Sequence, residues 1–276
     1  IYNSSGRNLS HVVTYLQSLK NLKNQFKPDR VFIAWDIRDD GFVNFRQEQT
    51  DYKTHRDSSE REDLHQYDKL IWSLTRLLGV CNIRANKLEG DDIVFFLVKT
   101  FWEDDNTVVT QDNDFLQLFK IFPNVKVYNT LKNKVINESN ASEFNGGIDN
   151  GKFLQYKAVM GDSSDNIKGL YKYGPVKSKK FVENFKENFD KLGKDDQDTI
   201  TRNLKLMSLK YGLKYYKDEE EYYQSQLKEY DIRLNDFFEA MEKLELGDNI
   251  HKSSDWMEAF WGDLSEGLQN LSKLIL

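Results

Sequence analysis

Acidic side chains stand at four places in the sequence where an apolar run ends or a helical pattern begins. The four groups are Asp36; Glu89, Asp91 and Asp92; Asp112 and Asp114; and Asp162 and Asp165. In open α/β sheets, ligand sites form beyond the carboxyl ends of the strands. We therefore expect these side chains to meet in one crevice, where their oxygens could bind cations.

Taken singly, each group has a simpler explanation, because Asp is a common turn residue and acidic side chains favour helix N-termini. Taken together, the groups are harder to explain in this way. Two carboxylates ~5 Å apart repel by about 3 kcal/mol at an effective dielectric constant of ~20, so cations or raised pKa values must offset the repulsion. Mg²⁺ fits best, because it takes oxygen ligands and binds through few carboxylates plus substrate phosphate. Two such ions ~3.5–4 Å apart can activate water and stabilise the leaving oxygen in phosphodiester hydrolysis.

The amino-acid composition excludes several other kinds of site. The four histidines are scattered without ligand spacing, and a single cysteine, Cys81, excludes an intramolecular disulfide and a Cys-rich zinc module. The net charge of −6 argues against a polybasic coat, although a local basic path remains compatible with it. No apolar run is long enough to span a bilayer and no signal peptide is visible. These features favour a cytoplasmic protein without a membrane partner.

The elements that must position the carboxylates alternate along the first half of the chain. Apolar spacing predicts helices over about 9–22, 64–78 and 89–102, strands over 31–35, 80–85 and 107–110, and an edge strand over 125–128. After about residue 150 only helices are predicted. This pattern predicts an α/β fold with a mainly parallel central sheet flanked by helices and a largely helical C-terminal part. We divide it into 1–150, with a polar segment at about 38–62, and 151–276, although one continuous fold fits equally well.

These motifs, in this order, resemble the 5′-nuclease superfamily: flap endonucleases, the 5′-nuclease domain of bacterial DNA polymerase I and, closest, bacteriophage 5′–3′ exonucleases. The likeness runs from about residue 31 to residue 185. The matching motifs are Phe-Ile-Ala-Trp-Asp at 32–36, Arg46 followed by Tyr-Lys-x-x-Arg at 52–56, Glu-Gly-Asp-Asp at 89–92, Thr-Gln-Asp-Asn-Asp at 110–114 and Gly-Asp-Ser-Ser-Asp-Asn-Ile-x-Gly at 161–169.

The resemblance implies a PIN-like nuclease core that uses two Mg²⁺ ions, for which Mn²⁺ can substitute. By likeness to the family, the first ion is bound by Asp36, Glu89, Asp91, Asp92 and Asp112. The second is bound by Asp114, Asp162 and Asp165, and Asp91 lies between the two ions. Asp36 and Asp112 are accordingly also expected to be catalytic.

The resemblance also assigns roles to residues before the second acidic group. Lys53 and Arg56, within an arch at about 38–62, are expected to be catalytic, because cations there would hold the scissile phosphate and stabilise transition-state charge. Tyr52 is expected to stack on a base, and Arg46 to contact DNA. Without the resemblance, Lys53 and Arg56 are better read as solvated loop charges.

Residues 167–180 match the start of a helix–three-turn–helix element that grips duplex DNA. Backbone N–H groups at a glycine-containing turn can bind phosphate, and lysines add contacts that do not depend on sequence. The DNA-binding candidates are Lys168, Gly169, Lys172, Gly174, Lys177, Lys179 and Lys180. The family often binds a K⁺ ion here through backbone carbonyls. The turn lacks the family's middle glycine, and Tyr171 and Tyr173 make it bulkier.

The N-terminus departs from the family pattern. Family members carry a further metal-binding Asp at the end of a first strand, whereas this sequence starts with Ile-Tyr-Asn-Ser-Ser-Gly almost directly before its first helix. We expect a segment to be missing from this numbering, because losing a central strand would expose a sheet edge.

The leading hypothesis is a structure-specific 5′-nuclease, acting as a 5′–3′ exonuclease or flap endonuclease near junctions of single strand and duplex. Its expected substrates are DNA with a 5′ flap or 5′ end and RNA–DNA primers. Its expected setting is a monomer among replication proteins, in a bacterial host cytoplasm if phage-encoded. The alternatives are a PIN-type ribonuclease, against which the lysine-rich element argues, and a non-catalytic DNA-junction-binding relative, which the N-terminal departure supports.

Overall fold

The computed structural model describes residues 1–37, 44–48, 51–53, 66–217, 220–250 and 253–262. The chain forms two compact units, each built from separated stretches. The first comprises Ile1–Trp35, Asp57–Ile83 and Glu221–Leu276, and the second comprises Asp36–Arg56 and Arg84–Glu220. All the carboxylates identified from the sequence belong to the second unit. The division at residue 150 stays a prediction.

Helices and strands alternate up to residue 136, and the described residues beyond residue 168 are helical apart from their connections. The helices are α1 (Ser10–Phe26), α2 (Asp68–Leu77), α3 (Gly90–Thr100), α4 (Phe153–Met160), α5 (Pro175–Glu183), α6 (Phe185–Asp190), α7 (Lys194–Met207), α8 (Leu213–Tyr216), α9 (Glu220–Gln224), α10 (Leu234–Lys243) and α11 (Ser253–Trp261). The strands are β1 (Phe32–Trp35), β2 (Cys81–Arg84), β3 (Asn106–Thr110), β4 (Val125–Asn129), β5 (Lys134–Ile136), β6 (Gly161–Asp162) and β7 (Ile167–Lys168). The predicted α/β class is confirmed.

The core of the first unit forms around α1. The apolar side chains of this helix recur at helical spacing, so they fall on one face, where Val12 and Leu16 are fully buried. This face shares an apolar cluster with Leu74 of α2, Phe237 of α10 and Trp256 of α11. The first unit therefore has a hydrophobic core of its own.

The core of the second unit forms around the sheet β3–β4–β5. Strand β3 pairs with β4 in parallel, and β4 pairs with β5 in antiparallel orientation. The prediction of an edge strand at 125–128 was wrong, because β4 lies between two neighbours. Sequence reasoning missed β5, whose three residues include two exposed ones and so show little apolar signal. Phe95 of α3 and Leu118, in a 3₁₀ helix over Asn113–Lys120, pack in the cluster that includes this sheet.

A tight turn between α4 and α5 depends on two glycines. A Cβ atom on Gly161, which has a φ of +84°, would lie 2.3 Å from the backbone nitrogen of Gly169. A Cβ atom on Gly169 would lie 2.2 Å from the carbonyl carbon of Met160. Side chains cannot be accommodated at such distances, so the backbones meet directly. The antiparallel strands β6 and β7 form within this turn, and their pairing fixes the position of Asp162.

Candidate active site

Asp36 meets the N-terminus of α3. It directly follows β1, and its Oδ1 accepts a hydrogen bond of 2.6 Å from the backbone N–H of Gly90, the first residue of that helix. Backbone N–H groups in the first turn of a helix are positively polarised and favour a carboxylate. The strand end and the helix start, which are distant in sequence, are thereby brought together as predicted.

A buried ion pair joins Arg46 to Asp92 in the first turn of α3. The two terminal nitrogens of Arg46 donate to the two carboxylate oxygens at 2.7 Å each, and the side chains are 3% and 1% exposed. Arg46 also donates to Glu89 Oε2 at 3.0 Å and to the carbonyl oxygen of Leu206 at 2.7 Å. Burial raises the pKa of the Asp92 carboxyl, and Arg46 opposes that rise. The pair is therefore a structural support of the helix start.

This burial departs from two sequence interpretations. Arg46 was expected to contact DNA and Asp92 to bind a metal ion, but each would first have to leave a bidentate partner that is itself shielded from water. Breaking such a pair is costly, because it leaves an unpaired charge in the interior.

Glu89 is the point where several partners converge. Lys53 Nζ donates to Oε1 at 2.6 Å, and the hydroxyl of Tyr52 donates to Oε2 at 2.9 Å. Lys53 has a φ of +56°, in the left-handed region that non-glycine residues seldom adopt, and its N–H donates to the carbonyl oxygen of Asp165 at 3.1 Å. The local backbone thus aims the Lys53 ammonium at the acidic cluster.

Tyr52 lies under this cluster and not on its surface. Its side chain is buried, and its hydroxyl also reaches Asp165 Oδ2 at 3.3 Å. Burial raises the pKa of the Tyr52 hydroxyl, and Glu89 raises it further, so the group stays protonated and donates. The expected stacking of Tyr52 on a base does not agree with this position.

Asp91 is buried beside three other carboxylates of the cluster. Burial, and then the carboxylates of Asp112, Glu89 and Asp36, raise the pKa of Asp91 to about 7, while Lys53 lowers it. Asp112 follows β3, and its Oδ1 accepts a hydrogen bond of 2.7 Å from the N–H of Asp114, so it caps the 3₁₀ helix. Much of the predicted first metal set therefore shares one electrostatic environment.

A second group of carboxylates surrounds Lys157 of α4. Its Nζ donates to Asp114 Oδ1 and lies 2.9 Å from Asp162 Oδ2. Burial raises the pKa of Asp114 to about 6; Lys157 opposes this rise and Asp112 adds to it. Burial also acts to raise the pKa of Asp162, but Lys157 and Ser164 outweigh it, and the net shift is downward. Sequence reasoning missed Lys157. The available signal was its place in the helix that leads into the Gly-Asp motif, in a segment that is otherwise mostly apolar or aromatic.

Within the described ranges, no three His, Cys, Asp or Glu side chains stand close enough together to hold a metal ion as they are. The reason is visible in the contacts above, since several carboxylate oxygens are turned towards Arg46, Lys53 and Lys157. The donor chemistry still suits a hard divalent cation, because the candidates are carboxylates and the raised pKa of Asp91 reflects its burial beside three other carboxylates. Binding would require some carboxylates to exchange a lysine for the ion.

Apart from Arg46 and Tyr52, the predicted DNA-binding residues lie on β7, α5 and the turn between them. The lysines at these positions are exposed: Lys168, Lys172, Lys177, Lys179 and Lys180. Gly169 makes the close backbone contact described above, and Gly174 is the N-cap of α5. Lys179 Nζ donates to the carbonyl oxygen of Gly146 at 3.0 Å. Arg56 and most of the arch at 38–62 lie outside the described residues.

Three comparisons with known proteins show which family the chain resembles. A sequence profile described as 5'-3' exonuclease, N-terminal resolvase-like domain, matches residues 1–146. A 5'-3' exonuclease of Bacillus subtilis (strain 168) is 31% identical over 220 residues, which cover 73% of this chain and 70% of that protein. DNA polymerase I of Lactococcus lactis subsp. lactis (strain IL1403) is 30% identical over 202 residues, which cover 68% of this chain and 22% of that protein.

The chain belongs to the 5′–3′ exonuclease family. This membership confirms the prediction that it is a 5′-nuclease, and therefore a hydrolase. Among solved structures, a flap endonuclease of bacteriophage T5 in a pseudo-enzyme–product complex with DNA and metal ions superposes with a TM-score of 0.63 and 19% identity. The match covers 84% of this 5′-nuclease and 89% of the bacteriophage protein, so the two share a fold.

Replacing Arg46 by Met should destabilise the 5′-nuclease strongly, because Asp92 and Glu89 would lose a buried counter-charge. We expect the free energy of unfolding to fall by about 3–5 kcal/mol, measured by urea unfolding with circular dichroism. The matched control is Lys126→Met, which breaks an exposed pair with Asp105 at 2.7 Å and should cost at most about 1 kcal/mol. A similar small loss in both variants would contradict the buried-pair interpretation.

The pKa values of Asp91 and Asp114 predict a pH dependence of stability in EDTA. Both carboxyl pKa values are raised above the ordinary 3.8, to about 7 and about 6, so between about pH 4 and 7 the folded chain holds protons that the unfolded chain has lost. These groups therefore lower stability progressively as pH rises through that window. Asp91→Asn should flatten the dependence and raise the urea midpoint at pH 8. The surface variant Asp105→Asn serves as the control, and parallel wild-type and Asp91→Asn curves would refute the assignment.

Proposed function

We propose that the chain is a divalent-metal-dependent, structure-specific 5′-nuclease that hydrolyses phosphodiesters in DNA or RNA–DNA near junctions of single strand and duplex. The observation that carries the proposal is the shared environment of Asp36, Glu89, Asp91 and Asp112 around the first turn of α3. The close approach of several carboxylates favours a cation, and a cation there would face a substrate phosphate. The bacteriophage relative, solved with DNA and metal ions, supports both the substrate and the cofactor.

The same four carboxylates would hold a first Mg²⁺ ion, and Asp114, Asp162 and Asp165 a second, with Mn²⁺ as a substitute. When bound, such ions supply an activated water and charge stabilisation for the leaving oxygen. We assign Asp92 a structural role: it pairs with Arg46 at the start of α3 and does not bind an ion. Asp112 also caps the 3₁₀ helix, and this hydrogen bond keeps the Asp112 carboxylate at the end of β3.

Lys53 is the described cation best placed to act on the substrate. Its side chain is 20% exposed and already reaches the acidic cluster, so its ammonium can turn from Glu89 to an incoming phosphate. Arg56, three residues later, would contribute a second cation. Tyr52 would position Glu89 and Asp165 from below through its hydroxyl.

The duplex would lie along the lysines of β7 and α5. Lys172 and Lys180 lie at the turn and on the following helix, where they can meet successive phosphates of one strand. A K⁺ ion at this helix–three-turn–helix turn remains part of the proposal. The match to DNA polymerase I supports a place beside replication proteins. Action as a monomer in the cytoplasm stays a prediction; among the helices that the structure describes, none has the length and apolar character needed to cross a membrane.

Asp112→Asn should abolish cleavage while sparing DNA binding. The Asn oxygen can still cap the 3₁₀ helix, so the fold is preserved while a charged ligand is lost. We expect the rate on a 5′-flap DNA, labelled at either end, to fall by about a hundredfold or more in Mg²⁺. The control variant Asp105→Asn, which changes an exposed carboxylate, should cleave like the wild type. EDTA should stop cleavage by the wild type and by this control.

The flap assay also separates the competing functions. Cleavage of an RNA flap in strong preference to the DNA flap would favour a PIN-type ribonuclease. Binding of the junction by the wild type without any metal-dependent cut would favour a non-catalytic relative. Retained turnover by Asp112→Asn would remove Asp112 from the metal set.

Replacing Lys172 and Lys180 together by Ala should weaken duplex binding and its salt dependence. Each lost phosphate contact lowers the slope of log K against log salt by about 0.9, so the double variant should lose up to about twice that. The slope is measured by fluorescence anisotropy between 50 and 200 mM salt, roughly the range in which such contacts dominate. Lys126→Ala is the matched control, and an unchanged slope in the double variant would place the duplex elsewhere.

A further inference from the structure

Lys157 occupies the place between Asp114 and Asp162. Its Nζ bonds to an oxygen of the first carboxylate and lies 2.9 Å from an oxygen of the second. The three side chains are 12%, 17% and 18% exposed, so the group is largely shielded from water. One ammonium therefore forms ion pairs with two carboxylates that come from different elements.

These are two of the three carboxylates proposed for the second ion. The third, Asp165, is turned towards Tyr52 on the other side of the turn. A divalent ion at this place would need the same oxygens that Lys157 now engages. Mg²⁺ and Mn²⁺ accept carboxylate oxygens at short, well-defined distances, so an ammonium and the ion cannot both bond to one oxygen pair at full strength.

The lysine differs from the other cations of the site in a way that matters for exchange. Arg46 makes a buried bidentate pair with Asp92 and also bonds to Glu89, so it is fixed in place. Lys53 bonds to the single carboxylate of Glu89. Lys157 bridges a pair, and it does so through a flexible four-carbon stem that can swing away without any change in the backbone of α4.

We propose that Lys157 is a built-in competitor of the second divalent ion: it neutralises the Asp114–Asp162 pair in the metal-free protein and must leave before the ion can bind there. This inference rests on the proposed metal-dependent function. It implies that the second ion binds more weakly than the first, because the second ion must displace an ammonium from two carboxylates, whereas Lys53 bonds to one carboxylate of the first set. It also implies that the metal-free site stays assembled.

The inference is tested by titrating Mn²⁺ into the full chain and measuring free ion by electron paramagnetic resonance. The variants are Lys157→Met, which removes the competitor, and Lys157→Arg, which keeps its charge. In Lys157→Met, the affinity for the more weakly bound of the two Mn²⁺ ions should rise by about tenfold to a hundredfold. This is the change expected when the ion no longer has to displace one charged hydrogen bond. Lys157→Arg should remain close to the wild type, as should Lys126→Met, which removes an exposed pairing.

Thermal melting gives a second readout that is independent of catalysis. Without Lys157 the two carboxylates repel each other, so Lys157→Met should melt below the wild type in EDTA and gain more from Mg²⁺. If that variant fails to fold in EDTA, Lys157→Gln replaces it, because the amide keeps a donor but no charge. The same rise in Mn²⁺ affinity is expected.

The outcomes separate the two proposals. Unchanged or weaker affinity for the second ion in folded Lys157→Met or Lys157→Gln would overturn the competitor role and leave the nuclease function standing. If neither wild type nor variants bind Mn²⁺ at all, the metal-dependent function itself fails.

Discussion

The second unit must accommodate several carboxylates around the first turn of α3, and this clustering of negative charge is the main constraint on its structure. Glu89 and Asp91 lie within or beside this turn, Asp36 accepts a hydrogen bond from its first residue, Gly90, and the carboxylate of Asp112 acts on Asp91. Such carboxylates oppose folding unless their charge is compensated. The protein compensates in two ways, by cations bound to the carboxylates and by a raised pKa for the buried carboxyl group of Asp91. The proposed metal ions would add positive charge to the same cluster.

The fixed cations differ in how firmly they are held. Arg46 is buried in a bidentate pair and cannot leave without unfolding part of the site. Lys53 and Lys157 are more exposed and are bound by terminal nitrogens on flexible stems. The first cation therefore supports the structure, whereas the proposed roles of the other two require them to exchange a carboxylate for phosphate or to yield to a divalent ion. The acidic cluster thus contains both a permanent and an exchangeable part.

One turn connects this chemistry to the surface that would grip DNA. Gly161 and Gly169 bring two backbones into direct contact, which leaves Asp162 and Asp165 on the side of the acidic cluster and places exposed lysines on the following segment. A side chain at either glycine would separate the strands of the turn. The position of the cleavable bond relative to the bound duplex would therefore depend on a contact made by backbone alone.

The sequence by itself determined the α/β class, the family and the identity of the acidic groups, because strand-end aspartates and the Gly-Asp motif are local patterns. The family resemblance singled out Lys53, which the residues alone would leave as a solvated loop charge. Tertiary structure decided which acidic residues remain available, since Asp92 is committed to Arg46 by burial that spacing along the chain does not reveal. Lys157 was missed for the same reason: a lysine on a helix is ordinarily solvated, and only folding brings two carboxylates to its ammonium. Local pattern thus specified the candidate ligands, and packing specified their partners.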